Sequence, residues 1–88
     1  MNAIRCLVSG HVQGVFFRAS TRQVAESLGL AGHALNLPDG RVEVVASGAT
    51  ESLERLKDYI RTGPNGAPVS AVTCEPWSGP VPESFKIG

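Results

Sequence analysis

The sequence predicts an α+β sandwich: a mostly antiparallel sheet with two helices on one face. Three observations lead there. Four segments, Ile4–Gly10, Gly32–Leu37, Arg41–Ser47 and Val69–Glu75, read as strands, the clearest of them with apolar residues at every second position. Two others, Phe17–Leu28 and a stretch opening at Thr50, repeat their apolar residues at helical spacing. Their order is strand, helix, strand, strand, helix, strand, and a chain of 88 residues is expected to fold as one domain, residues 1–88, around a single core.

Each element has a local reason. In the first strand Ile4, Cys6 and Val8 share a face. In the first helix Phe17, Thr21, Val24, Ala25 and Leu28 form the buried stripe, Arg22, Gln23 and Glu26 face water, and Gly29 is the stop. Pro38-Asp39-Gly40 is turn chemistry, so the second and third strands make a hairpin, with Val42, Val44 and Ala46 pointing inward. Thr50 offers a cap for the second helix, and Glu51 and Glu54 lie near the positive end of its dipole. Leu53, Leu56 and Ile60 are its buried stripe, and Gly63-Pro64 ends it. Asn65-Gly66-Ala67-Pro68 reads as loop, Pro76 as the end of the fourth strand, and Phe85-Lys86-Ile87 as a short extra C-terminal strand. Right-handed crossovers put both helices on one side of this βαββαβ order, a ferredoxin-like sandwich. That fold hosts many activities and does not decide function.

Composition removes several classes. Eight basic and eight acidic side chains cancel, which argues against a nucleic-acid partner. No basic amphipathic stretch, signal-peptide core or 18-residue apolar run is present, so no membrane partner is expected and the expected location is the cytoplasm. Aromatics are absent from the first and third strands, unlike an RNA-binding sheet. There is no CxxC, and neither His11 nor His33 stands at ligand spacing from a cysteine, so no metal is expected. Cys6 and Cys74 both have core parity; in a reducing compartment they read as two buried free thiols, with a cross-strand disulfide the alternative if their Cα atoms lie within about 7 Å.

The segment most suggestive of chemistry is Gly10-His11-Val12-Gln13-Gly14-Val15-Phe16-Phe17-Arg18. It leaves the first strand through a loop between two glycines and enters the first helix. Main-chain N–H groups from Val12 through Phe17, with the Arg18 guanidinium, suit a small tetrahedral anion. On spacing alone a tight structural loop with Arg18 exposed is the simpler reading. The sequence is not a Walker A loop, so nucleotide binding is not indicated.

This segment closely resembles the first signature of the acylphosphatase family, G-x-V-Q-G-V-x-F-R. Gly32–Gly48, with Asn36-Leu37-Pro38-Asp39-Gly40-Arg41-Val42 at its centre, resembles the second, and the resemblance runs over essentially the whole chain to the terminal Phe-x-Ile. Two positions depart from the pattern: His33 stands where an aromatic is usual and Leu35 where a basic residue is common. Both have the parity of the sheet face away from the helices, so they bear on packing more than on the site. The resemblance implies hydrolysis of small acyl phosphates without metal or cofactor. It implies phosphate binding by Val12, Gln13, Gly14, Val15, Phe16, Phe17 and Arg18, with Arg18 and Asn36 catalytic and Asn36 orienting the attacking water. His11 reads as a solvated loop residue. Without the motif, Asn36 would read as a cap before a turn. A monomer acting on its own is expected. The alternative is a non-catalytic anion-binding or regulatory module of the same fold, such as the domain at the head of larger carbamoyltransferases.

Overall fold

The computed structural model describes residues 2–13, 15–63 and 69–87, with the side chain of Val15 left aside. Seven elements follow in order: β1 (Asn2–Gly10), α1 (Val15–Ser27), β2 (Ala31–Asn36), β3 (Val42–Gly48), α2 (Thr50–Thr62), β4 (Val69–Pro76) and β5 (Phe85–Ile87). The five strands form one sheet in the order β4-β1-β3-β2-β5. Every pairing is antiparallel except β2 with β5, which is parallel. This is the expected ferredoxin-like α+β sandwich. The predicted loop 65–68 and Pro64 lie outside the described residues.

The core lies between the sheet and the helices. Cys6 and Val8 of β1, Val42, Val44 and Ala46 of β3, and Leu53, Leu56 and Ile60 of α2 are buried there, with Phe17 and Ala25 of α1 opposite. The inward-facing stripes match expectation because their periodicity follows from one covered face. Boundaries moved where local signals were weak. α1 begins at Val15 rather than Phe17, and β4 runs through Pro76, which pairs with Ile4. Ala49 rather than Thr50 sits at the N-cap of α2 and makes no side-chain cap bond; the Thr50 hydroxyl accepts from the Asn2 carboxamide instead.

The cysteines correct the expectation of free thiols. Cys6 and Cys74 are direct partners in the β1–β4 register, their Cα atoms are 4.0 Å apart, and their sulfurs form a disulfide. Parity had placed both on the core face; only the antiparallel register places them side by side.

The sheet face away from the helices holds a line of charge across four strands. His33 Nε2 lies 2.9 Å from one oxygen of Glu43, and Arg5 Nε donates to the other at 2.6 Å. Arg5 also pairs with Glu75 at 3.1 Å and lies 5.9 Å from the Trp77 ring centre. Val45, between Arg5 and His33 in register, is fully buried although it points to this outer side. The departure at His33 therefore extends a hydrogen-bonded polar network over a central apolar residue.

Candidate active site

The geometry of the site starts at the end of β1. The register between β1 and β4 shifts between Ser9 and Gly10, and Gly10 has φ 127°, a value that disfavours any side chain. The bulge turns the chain off the sheet. Val12, 1% exposed, then anchors the segment in the core, while His11 and Gln13 remain at the surface. Gly14 lies outside the described residues.

Because α1 starts at Val15, the N–H groups of Val15, Phe16 and Phe17 are among those that an α-helix leaves without internal acceptors. The first turn contains no acidic side chain to occupy them. Phe17 is buried and holds the turn against the core, whereas Phe16 is 70% exposed. Arg18 is not the exposed arginine of the simpler reading. It is 9% exposed, its Nε has no hydrogen-bond partner, and it makes no ion pair among the described residues. A buried guanidinium without a counter-charge is costly, and an anion offsets that cost. With the free helix amides beside it, the segment favours an anion with several oxygens.

Asn36 ends β2 and reaches the same end of the molecule through the sheet. Val8 pairs with Val42, and Val42 pairs with Asn36, so the three form one row across β1, β3 and β2. Residues paired in this way share a face. Val8 and Val42 are fully buried toward the helices, so Asn36 points to the helix side as its parity predicted. Two strand spacings put its Cα about 10 Å from that of Val8. Its carboxamide makes no hydrogen bond among the described residues.

One link between the two halves was not legible beforehand. The Gln13 carboxamide donates to the carbonyls of Leu37, at 2.6 Å, and Arg41, at 3.1 Å. The sequence pattern points only to the main-chain N–H of Gln13. No local pattern marks its side chain, since both acceptors are main-chain groups more than twenty positions away. Asp39 braces the same turn, accepting from the Arg41 main chain at 3.1 Å and its Nε at 2.8 Å. The hydrogen bonds from Arg41 hold the Asp39 carboxyl below its ordinary pKa.

The sequence matches the family profile described as Acylphosphatase over residues 4–87. An acylphosphatase of Halorhodospira halophila is 49% identical over 84 residues, covering 96% of this chain and 91% of that one. One of Xanthomonas oryzae pv. oryzae is 51% identical over 88 residues, the whole of both chains. The solved structure of an acylphosphatase from Coxiella burnetii superposes with a TM-score of 0.90 at 41% identity, covering 99% of this chain and 92% of that one. Among the described residues no helix is long and apolar enough to cross a membrane. With the profile matched from the first strand to the last and relatives at about half identity over their full length, the chain belongs to the acylphosphatase family.

Proposed function

We propose that the chain hydrolyses small acyl phosphates to a carboxylate and inorganic phosphate, with Arg18 and the segment 12–18 holding the phosphoryl group and Asn36 aiming the water. The observation that carries this reading is Arg18: buried, without a partner at Nε, and in the first turn of a helix whose leading amides have no acceptor within the helix.

The chemistry asks little more of the protein. Water attacks phosphorus as the bond to the acyl oxygen breaks, and the water's proton leaves with the phosphate product. The departing carboxylate is the base of an acid with pKa of about 4, so it leaves without a general acid. Phosphoryl transfer through a loose transition state is then a matter of alignment and charge. The guanidinium fork and the amides of Val12, Gln13, Gly14, Val15, Phe16 and Phe17 hold the three peripheral oxygens, and the Asn36 carboxamide fixes water opposite the leaving group. None of these roles calls for a metal or cofactor, and His11 takes no part.

The same reading has a monomer acting in the cytoplasm on a diffusible substrate, with no nucleic-acid or membrane partner. The Cys6–Cys74 bond would there be protected from reductants by the complete burial of Cys6.

The test is an assay with chelator present, comparing acetyl phosphate with a phosphate monoester. Acetyl phosphate alone should be cleaved, and Arg18→Ala and Asn36→Ala should each lower turnover by about 10²–10³-fold with circular dichroism unchanged. Near-normal activity in either variant, or equal cleavage of both substrates, sinks the assignment of roles.

A further inference from the structure

We propose that the side chain of Gln13 is a positioning residue that locks the phosphate-binding segment to the strand end carrying Asn36, setting the line between phosphorus and the attacking water. The inference rests on the reading just given, in which Arg18 and Asn36 act on the same substrate from separate elements.

Leu37 and Arg41 close the β2–β3 turn. The Leu37 N–H donates to the Arg41 carbonyl at 2.8 Å, and the Leu37 carbonyl accepts from the Gly40 N–H at 3.2 Å. Each carbonyl oxygen has room for two donors, and each already has one. A carboxamide nitrogen has two hydrogens. Gln13 Nε2 reaches both oxygens, at 2.6 Å and 3.1 Å, and fills the second place on each. The contact falls one residue beyond Asn36 on one side and one residue before its partner Val42 on the other. It therefore grips the rung of the hairpin next to Asn36.

Among the described residues, no other side chain bonds residues 11–13 to the hairpin. Val12 fixes the depth of that segment in the core, but an apolar anchor tolerates rotation and small slides. The two hydrogen bonds do not. Gln13 is also the neighbour of the amides that would hold phosphate, so its main chain serves binding while its side chain serves alignment. Releasing the side chain should leave Arg18 and the helix amides able to bind phosphate and should let Asn36 drift. Misplacement of a positioning group by about 1 Å can cost on the order of 10²-fold in rate.

The experiment uses Gln13→Met, which keeps the length of the side chain without donors, and Gln13→Glu, which turns a carboxylate toward two carbonyl oxygens. For each, kcat and KM with acetyl phosphate, the inhibition constant of inorganic phosphate and the thermal midpoint are measured. The two substitutions are also made in an Asn36→Ala background. The expected result is a fall in kcat of about 10–100-fold for Met and more for Glu. The phosphate inhibition constant should stay within about threefold, and neither substitution should lower kcat further once Asn36 is alanine. Unchanged kcat in Gln13→Met overturns the proposal. So does an equal loss in the Asn36→Ala background, or a loss of phosphate affinity matching the loss of kcat. Failure of the underlying reading shows separately, as full activity in Asn36→Ala alone.

Discussion

Cys6 and Cys74 face each other directly across the β1–β4 pairing, and the bond between their sulfurs ties an edge strand to its neighbour over a sequence separation of 68 residues. A cross-link over so long a loop restricts the unfolded chain strongly; the chain-entropy relation gives about 4 kcal/mol. β4 needs such a tie because it borders only β1 in the sheet and much of its length is exposed.

Reduction, or the pair Cys6→Ser with Cys74→Ser, should therefore lower the unfolding free energy by about 2–4 kcal/mol. Cys6→Ala with Cys74→Ala should cost less than the serine pair, because serine adds a hydroxyl at the fully buried position 6. Urea denaturation with and without reductant measures both; a midpoint unmoved by reduction would contradict the bond's role.

Glu43 makes the outer sheet face acid-sensitive. Burial pushes its carboxyl up, but the hydrogen bonds from Arg5 and His33, with their charges, outweigh this and hold it below the ordinary value. A carboxyl whose pKa is lowered by folding contributes stability above its unfolded pKa and loses it as pH falls through the lower folded value. Wild type should accordingly lose stability from about pH 5 downward more steeply than Glu43→Gln, with about 1 kcal/mol or less separating the two total losses because the group borders solvent. Unfolding free energies between pH 3 and 7 for both chains decide it, and parallel curves would contradict the assignment.

Gly32 is held where no other residue fits. Its φ is 148°, and a Cβ there would lie 1.8 Å from the carbonyl oxygen of Val45. That atom is sheet backbone and cannot swing aside, so Gly32→Ala must break or shift the β2–β3 pairing that carries Asn36. The expected loss is about 3 kcal/mol or more. The variant should be visibly less stable to heat, and a midpoint within a few degrees of wild type would show that the strand can give.

What could be read in the sequence was whatever depends on a single periodic face. The stripes Leu53–Leu56–Ile60 and Val42–Val44–Ala46 and the helixward parity of Asn36 all follow from one side of an element being covered. What escaped depends on partners far along the chain. Thr50 has the chemistry of a cap, but Asn2 takes its hydroxyl. Val45 has outward parity, yet Arg5 and His33 flank it from neighbouring strands. The burial of Arg18 was legible in retrospect, since 18, 21 and 25 share helical spacing and Thr21 and Ala25 are fully buried. The Gln13 clamp had no local signal at all.

Thr21 is the counterpart of Arg18 one turn along α1, and its hydroxyl gives the last prediction. The residue is fully buried, and its Oγ1 has no hydrogen-bond partner. A hydroxyl removed from water without a new partner costs about 1–3 kcal/mol. Valine has nearly the same shape, the same branching at Cβ and a similar helix propensity, so Thr21→Val exchanges that cost for the burial of a methyl group and leaves the packing in place. The unfolding free energy should rise by about 1 kcal/mol, which for a domain of this size moves the thermal midpoint up by about 4–8 °C. Thr21→Ala tests the packing half of the argument: it removes the hydroxyl too but leaves a cavity, so it should not match the gain of valine. A midpoint lowered by Thr21→Val would contradict the cost assigned to the unpaired hydroxyl.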